Sequence, residues 1–281
     1  MAITENEWII KQRKYYNPRS WQLVREGYAY RYAHRALPSQ IHGVSIVVPE
    51  NTLFFTKSGI EIHSRRYQGE MQMVGLYRPE MAAQAIRMGV YTLQALSAVQ
   101  IVSNPFKIWS LLYQPIRTIK VWRKIQQDRH VFTNQQIQRF ISILRIPANP
   151  RKVKKLTHGN LHGGNILVDY SNNELAIIDL EMMHIGNPVV DFAALWVTHY
   201  LASPPLAEQF LGNMEEVFPE YSKPGFIMEA YREIMIEAYL MLHKARRSGN
   251  VNFIHESENL IHEILNCPDP LQFLSCASNP K

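Results

Sequence analysis

Hydrophobic and polar positions follow a two-residue period in the first third of the chain and a helical period in the last third. Val44 to Val48, Thr52 to Thr56 and Ile60 to His63 have the alternation of strands, and Lys57-Ser58-Gly59 supplies a hairpin turn. Met71 to Leu76 reads as a fourth strand. Pro79 then opens a helix through Ala98, with Glu80 in its first turn, as the chemistry of helix starts favours. Val99 to Val102 offers at most one more short strand. Phe106 to Gln127 returns to helical spacing, with an interruption or kink expected at Pro115. Ile166-Leu167-Val168 and Leu175 to Ile178 read as short buried strands, separated by a turn over Asp169 to Asn173, where Asp and Asn bond locally to the backbone. Beyond them, Asp191 to Leu201, Pro205 to Val217, Lys223 to Arg247 and Glu256 to Leu265 carry the apolar spacing of packed helices. The expected organisation is a strand-containing region with one helix over residues 1–103 and a mainly helical region over 104–281, together making one unit.

One segment of this pattern carries chemistry. His158-Gly159-Asn160-Leu161-His162-Gly163-Gly164-Asn165 precedes the short hairpin, and Ile177-Ile178-Asp179-Leu180-Glu181 closes it. Strand, turn and strand return Asn165 and Asp179 to the same end. Two oxygen donors meeting there suit Mg²⁺, which takes one or two protein side chains and completes its shell with phosphate and water. The interval from position 160 to Asn165 is that of a kinase catalytic loop, whose first member is an Asp accepting the substrate hydroxyl's proton. Here that member is Asn160. An amide hydrogen-bonds and orients a hydroxyl but does not take its proton near neutral pH. Within the motif, His162 is the other group able to act as a base.

The strings HGNLHGGNIL and IDLEMMHIGNPVVDFAAL, spanning His158 to Val168 and Ile177 to Trp196, resemble the aminoglycoside phosphotransferase and choline kinase-like superfamily. The resemblance implies a bilobal protein kinase-like α/β fold with a small β-containing N-lobe and a mainly helical C-lobe. It implies ATP as phosphoryl donor, Mg²⁺ as metal and a small-molecule hydroxyl as acceptor. By the same resemblance Asn165 and Asp179 bind the metal and nucleotide, His158 shapes the catalytic loop, and Asp191 supports that loop from the next helix. Glu181 would add a contact beside the metal.

The chain departs from that family at several places. Asn160 stands where the catalytic Asp is expected, and Asn187 replaces the Asp of the Gly-Asp-Pro segment, where an amide also serves a helix start. No Gly-x-Gly-x-x-Gly precedes the strands, and between Lys57, placed in a turn, and Lys107 there is no lysine to meet phosphate. The chain therefore reads as a family member with weak or lost transfer, a pseudokinase. The alternative is an active small-molecule kinase that relies on positioning and Mg²⁺, and a third reading is a basic peripheral membrane or scaffold protein.

Composition narrows the remainder. With 281 residues, 46% hydrophobic and 19% charged, the chain is long enough to bury a substantial core. The net charge of +6 favours acidic partners. Arg117, Lys120, Arg123 and Lys124, interleaved with Ile119, Val121 and Trp122, could form a basic helix face for an anionic surface. No nucleic-acid-binding motif accompanies it. Cys267 and Cys276 are too few for a zinc site, and reduced thiols are expected. The opening MAITENEWIIKQRKYY lacks an apolar signal core, and no apolar run approaches the ~20 residues of a membrane span. These features give the expectation of a cytoplasmic protein, with peripheral membrane attachment through the basic segment.

Overall fold

A computed structural model of the chain describes residues 2–4, 8–17, 20–128, 130–147, 154–218 and 223–276. It divides into two compact units, Met1–Asn104 with Lys155–His184, and Pro105–Lys154 with Ile185–Lys281.

Among its described residues the first unit contains one four-stranded and one five-stranded sheet. β1 (Ala2–Thr4) and β2 (Trp8–Arg13) lead into helix α1 (Ser20–Ala36), and β3 (Gln40–Ile41) and β4 (Val44–Val47) follow. β5 (Asn51–Thr56) and β6 (Gly59–Arg65) form the hairpin closed at Lys57-Ser58, with Thr56 opposite Gly59. β7 (Glu70–Met71), α2 (Gln72–Leu76) and α3 (Pro79–Ala98) come next, and β8 (Lys155–Thr157), β9 (Ile166–Asp169) and β10 (Glu174–Ile177) complete the unit. One sheet has the order β1-β2-β6-β5 and the other β3-β4-β10-β9-β7. Leu175, Ala176 and Ile177 of β10 are buried in succession because this central strand is covered on both faces. On α1, Leu23, Tyr30 and Ala33 are buried, and the helix packs against β5 and β6, where Ile60 and Ile62 are buried as well.

Among its described residues the second unit is helical apart from Ile185 and Gly186, which end a three-residue strand begun at His184. α4 (Lys107–Gln127) precedes α5 (Asn134–Leu144), which opens on a reciprocal cap between Thr133 and Gln136. α6 (Val189–Ala202), α7 (Pro204–Val217), α8 (Pro224–Ser248), α9 (Val251–Asn266) and α10 (Pro270–Cys276) follow. Every residue of α6 from Val189 to Leu201 is buried, as expected of a helix that is apolar almost all round. α8 stops at Gly249, whose φ of 71° is the left-handed closure that glycine adopts without strain.

Several sequence expectations change. Met71 to Leu76 is not a strand: after two β7 residues the chain turns into α2, since a short, mostly apolar run does not distinguish the two. Val99 to Val102 forms no strand, and α4 runs through Pro115 as one helix. Pro115 is exposed, so the carbonyl it leaves unpaired lies towards water. The segment 155–184 clusters with residues 1–104 rather than with the later helices, because β9 and β10 complete a sheet with β4 and β7. β2 and α1, which the sequence reading passed over, supply half of the candidate site.

Candidate active site

The candidate site lies within the first unit and is assembled from β2, α1, the loop 158–165 and the residues after β10. Gly159 has φ +80°, and a Cβ there would lie 2.6 Å from the Met182 carbonyl oxygen, so the loop's path requires glycine. The buried His158 ring follows from the same turn. Its Nε2–H donates to the Ile178 carbonyl at 2.8 Å, and its Nδ1 accepts from the Asn160 N–H at 3.3 Å. Burial keeps this imidazole below its ordinary pKa, hence neutral and in one tautomer. His158 thereby ties position 160 to the residue before Asp179.

Asn165 is buried, and its Nδ2 donates to the Asn160 carbonyl at 2.8 Å. That bond uses the amide nitrogen and reserves the oxygen as the atom a cation would meet. The Asn165 carbonyl accepts from the Ile178 N–H at 3.1 Å, which joins the loop to the end of β10. The hairpin does return Asn165 and Asp179 to one end, with Ile166 opposite Ile177. Its far turn is closed by Asp169, whose Oδ1 accepts from the N–H groups of Ser171 and Asn172.

Asp179 adopts φ 59° and ψ 52°, a left-handed conformation that Asp tolerates better than most residues. Its N–H donates to the Tyr30 hydroxyl at 3.0 Å. Its Oδ1 accepts from Lys11 Nζ at 2.9 Å, and the same ammonium donates to Glu26 Oε1 at 2.7 Å. Lys11 stands on β2 opposite Ile62 of β6, and Glu26, only 1% exposed, projects from α1. Burial opposes the Lys11 charge, but the two carboxylates outweigh it and hold the ammonium's pKa well above its ordinary value. Burial also opposes the Asp179 charge, and Lys11, by its charge and its hydrogen bond, more than offsets it, so this carboxyl ionises below its usual range. For Glu26 burial prevails and its pKa is raised.

A strand lysine joined to a helix glutamate is the ion pair that protein kinases need in place for catalysis. The expectation that this chain lacks a strand lysine is therefore corrected: Lys11 lies on β2 and pairs with Glu26 of α1. It escaped because it precedes the strands legible in the sequence, and its strand is defined by long-range pairing with β6. A signal was present nonetheless. Glu26 falls in the apolar spacing of Leu23, Gly27 and Tyr30, and an acid on a buried helix face calls for a cation.

The donor set fits a hard divalent cation. Glu26, Asp179 and Glu181 offer carboxylate oxygens that all lie within 4.8 Å of one another. Oε2 of the buried Glu26 has no hydrogen-bond partner. Oxygen donors without sulfur or imidazole suit Mg²⁺ over zinc. His162 lies in the same loop, where its Nδ1 accepts from the Gly164 N–H at 3.1 Å.

The remaining sequence candidates belong to the second unit. Asp191 is buried in the first turn of α6, where its charge bears on the Tyr113 phenol. Asn187 caps α6 through Oδ1, which accepts from the Val189 N–H at 3.1 Å, and its amide nitrogen donates to Glu229. Arg117, expected on a basic surface, is 7% exposed and paired with Glu233 and Glu237 of α8. The interior needs the charge to be neutralised, so Arg117 is lost to any external partner. Arg232 completes the network by donating to Glu233. Lys120 and Arg123 are exposed as expected, and Lys124 is half-buried.

Comparison with known proteins now bears on this geometry. The family model described as "Phosphotransferase enzyme family" matches residues 23–226, well over half of the chain. A comparison with curated proteins gives no match. Among solved structures, the GDP and kanamycin complex of APH(2")-IIIa is similar with a TM-score of 0.58 at 15% identity, covering 92% of this chain and 87% of that one. The GDP complex of wild-type aminoglycoside 2'-phosphotransferase-IIIa gives 0.57 at 15% identity, with 94% and 87% covered. A thermostable mutant of aminoglycoside phosphotransferase APH(4)-Ia, in ternary complex with ADP and hygromycin B, gives 0.55 at 16% identity, with 85% and 82% covered. Likeness at such identities establishes the fold, a protein kinase-like α/β arrangement with a sheet-containing N-terminal part and a mostly helical C-terminal part. With the family model spanning residues 23–226 and so both motifs, the chain belongs to the phosphotransferase enzyme family.

Proposed function

We propose that this chain binds a nucleoside triphosphate, ATP by resemblance, with Mg²⁺, and that it transfers the terminal phosphoryl group to a small-molecule hydroxyl slowly. The observation that carries the reading is Lys11 bridging Glu26 and Asp179. An ammonium held between two carboxylates beside a polar loop is poised to meet phosphate oxygens. Asn165 and Asp179 would hold the metal, with Glu26 and Glu181 near it. Bound there, Mg²⁺ would neutralise phosphate charge. Among the chain's own residues, Lys11 orients the phosphates and His158 fixes the backbone of position 160. Asn160 aligns the acceptor hydroxyl through its side-chain oxygen without removing its proton. Phosphoryl transfer depends mainly on positioning and electrostatics, so losing the carboxylate lowers the rate without forbidding the reaction.

A second reading, a pseudokinase that binds nucleotide and acts through a partner, draws on Asn160 and on the absence of Gly-x-Gly-x-x-Gly from the sequence. Both readings are tested by calorimetry of ATP with and without Mg²⁺, comparing the wild type with Asp179→Ala and Lys11→Met. Binding that needs Mg²⁺ and is lost in both variants supports a working nucleotide site. No binding by the wild type at millimolar ATP sinks both readings. Release of phosphate or of a phosphorylated acceptor by the wild type, absent in Asp179→Ala, separates the enzyme from the pseudokinase.

A further inference from the structure

α4 presents two opposite faces. Tyr113, Val121 and Ile125 are buried in the second unit, and Arg117 on the same side is neutralised there. The other side exposes Ile108, Leu111, Leu112, Ile116, Ile119 and Trp122. Exposure reaches 75% at Ile108, 70% at Leu111 and 51% at Ile119, so this is an open stripe and not the rim of a core. The spacing of three and four residues places all six along one side of the helix. Contiguous apolar surface of this kind marks an interaction site.

The charges around the stripe identify its occupant. Lys107, Lys120 and Arg123 are exposed on α4, and the helix from Lys107 to Gln127 contains no Asp or Glu. A second copy of the chain laid along the stripe would bring one all-basic rim against another, with no acid on either helix to compensate. A surface that is apolar beneath a layer of anions complements both features. Trp122 adds an amphipathic ring of the type that favours the headgroup level of a bilayer. No helix among the described residues is long and apolar enough to cross a membrane, so contact would be in the plane of the surface.

We propose that α4 docks this protein on an anionic lipid surface. The stripe from Ile108 to Trp122 enters the boundary between headgroups and acyl chains, and Lys107, Lys120 and Arg123 pair with lipid phosphates. This inference stands apart from the phosphotransfer reading, since it uses none of the residues of that site.

The test is co-sedimentation of the full chain with vesicles of phosphatidylcholine, with or without a third of phosphatidylglycerol. Retention is expected on the mixed vesicles only, and it should fall as salt rises. Lys120→Gln with Arg123→Gln should lower partitioning roughly twenty-five-fold, about fivefold per charge. Leu111→Ser with Ile119→Ser should lower it at least roughly tenfold at unchanged circular dichroism, because both side chains are already in water. Retention equal for wild type and both variants, or no retention on anionic vesicles, overturns the proposal. A dimer in sedimentation velocity that the Leu111→Ser, Ile119→Ser variant dissolves, without vesicle binding, assigns the stripe to a second copy and likewise overturns it.

Discussion

At position 160 the loop is held through its backbone: the N–H donates to His158, and the carbonyl accepts from Asn165. The side chain can therefore change while the loop keeps its path, which makes Asn160→Asp a clean probe of chemistry. Restoring a carboxylate there should raise turnover by ~10²–10⁴-fold, the usual worth of a general base, measured as steady-state phosphate transfer. A rate left at background by this substitution, with nucleotide binding intact, would favour the pseudokinase. His158, Asn160, Asn165 and Asp179 were legible because they lie within one loop and hairpin, where spacing along the chain nearly determines spacing in space. Lys11 and Glu26 were not, since a strand and a helix far away in sequence deliver them to Asp179. Arg117 shows the converse. Its position in a basic run described its neighbours in sequence and said nothing of the two glutamates waiting on α8.

Among the elements, α6 is the one most committed to the interior, and it carries a titratable group into that interior. His199 donates its Nδ1–H to the Leu195 carbonyl at 2.6 Å and stacks on Phe210 with ring centroids 4.4 Å apart. Burial pushes its pKa from 6.5 down to about 4. Between those values the unfolded chain takes up a proton that the folded chain refuses, so stability is fully present above the higher value and drains away as pH falls to the lower. Each pH unit within that window costs about 1.4 kcal/mol. Urea unfolding at about pH 7 and about pH 5 should show a loss for the wild type that His199→Phe reduces by roughly 2 kcal/mol. An unchanged pH dependence in the variant would place the proton elsewhere. Long helices such as α4 and α8 were evident from periodicity, whereas α2 was not, because so short a mostly apolar run satisfies strand and helix alike. α1 was passed over for a related reason: Arg25, Glu26, Arg31 and Arg35 dilute its apolar stripe.

For the whole molecule, two units of similar extent each enclose their own core, and the segment 155–184 joins the first after a long helical excursion through the second. That interleaving explains why a simple division near residue 103 misplaced residues 155–184: the sheet they complete was begun more than a hundred residues earlier, at β4. The family, by contrast, was readable from two short motifs, each contiguous along the chain, whereas the sheet around them is assembled from distant segments. Ligand linkage gives the corresponding prediction. Mg²⁺ and ATP at about a hundred times the dissociation constant should stabilise the fold by roughly 2.7 kcal/mol. Thermal unfolding should move upward accordingly, and addition of a chelator should remove the gain. A midpoint indifferent to ATP in the presence of Mg²⁺ would contradict the proposed site.

The contact between Lys11 and Asp179 has a last consequence. The pocket comes with a counter-ion already in residence, so its acids are not left to repel one another when nothing else is there. A metal arriving alone would have to evict that ammonium from Asp179 and leave it beside Glu26 with one anion fewer. A metal arriving with a polyphosphate brings the replacement anion along, and Lys11 exchanges one partner for another. In the proposed site the arrangement would therefore favour the pair over either member, an AND condition written in charge rather than in shape.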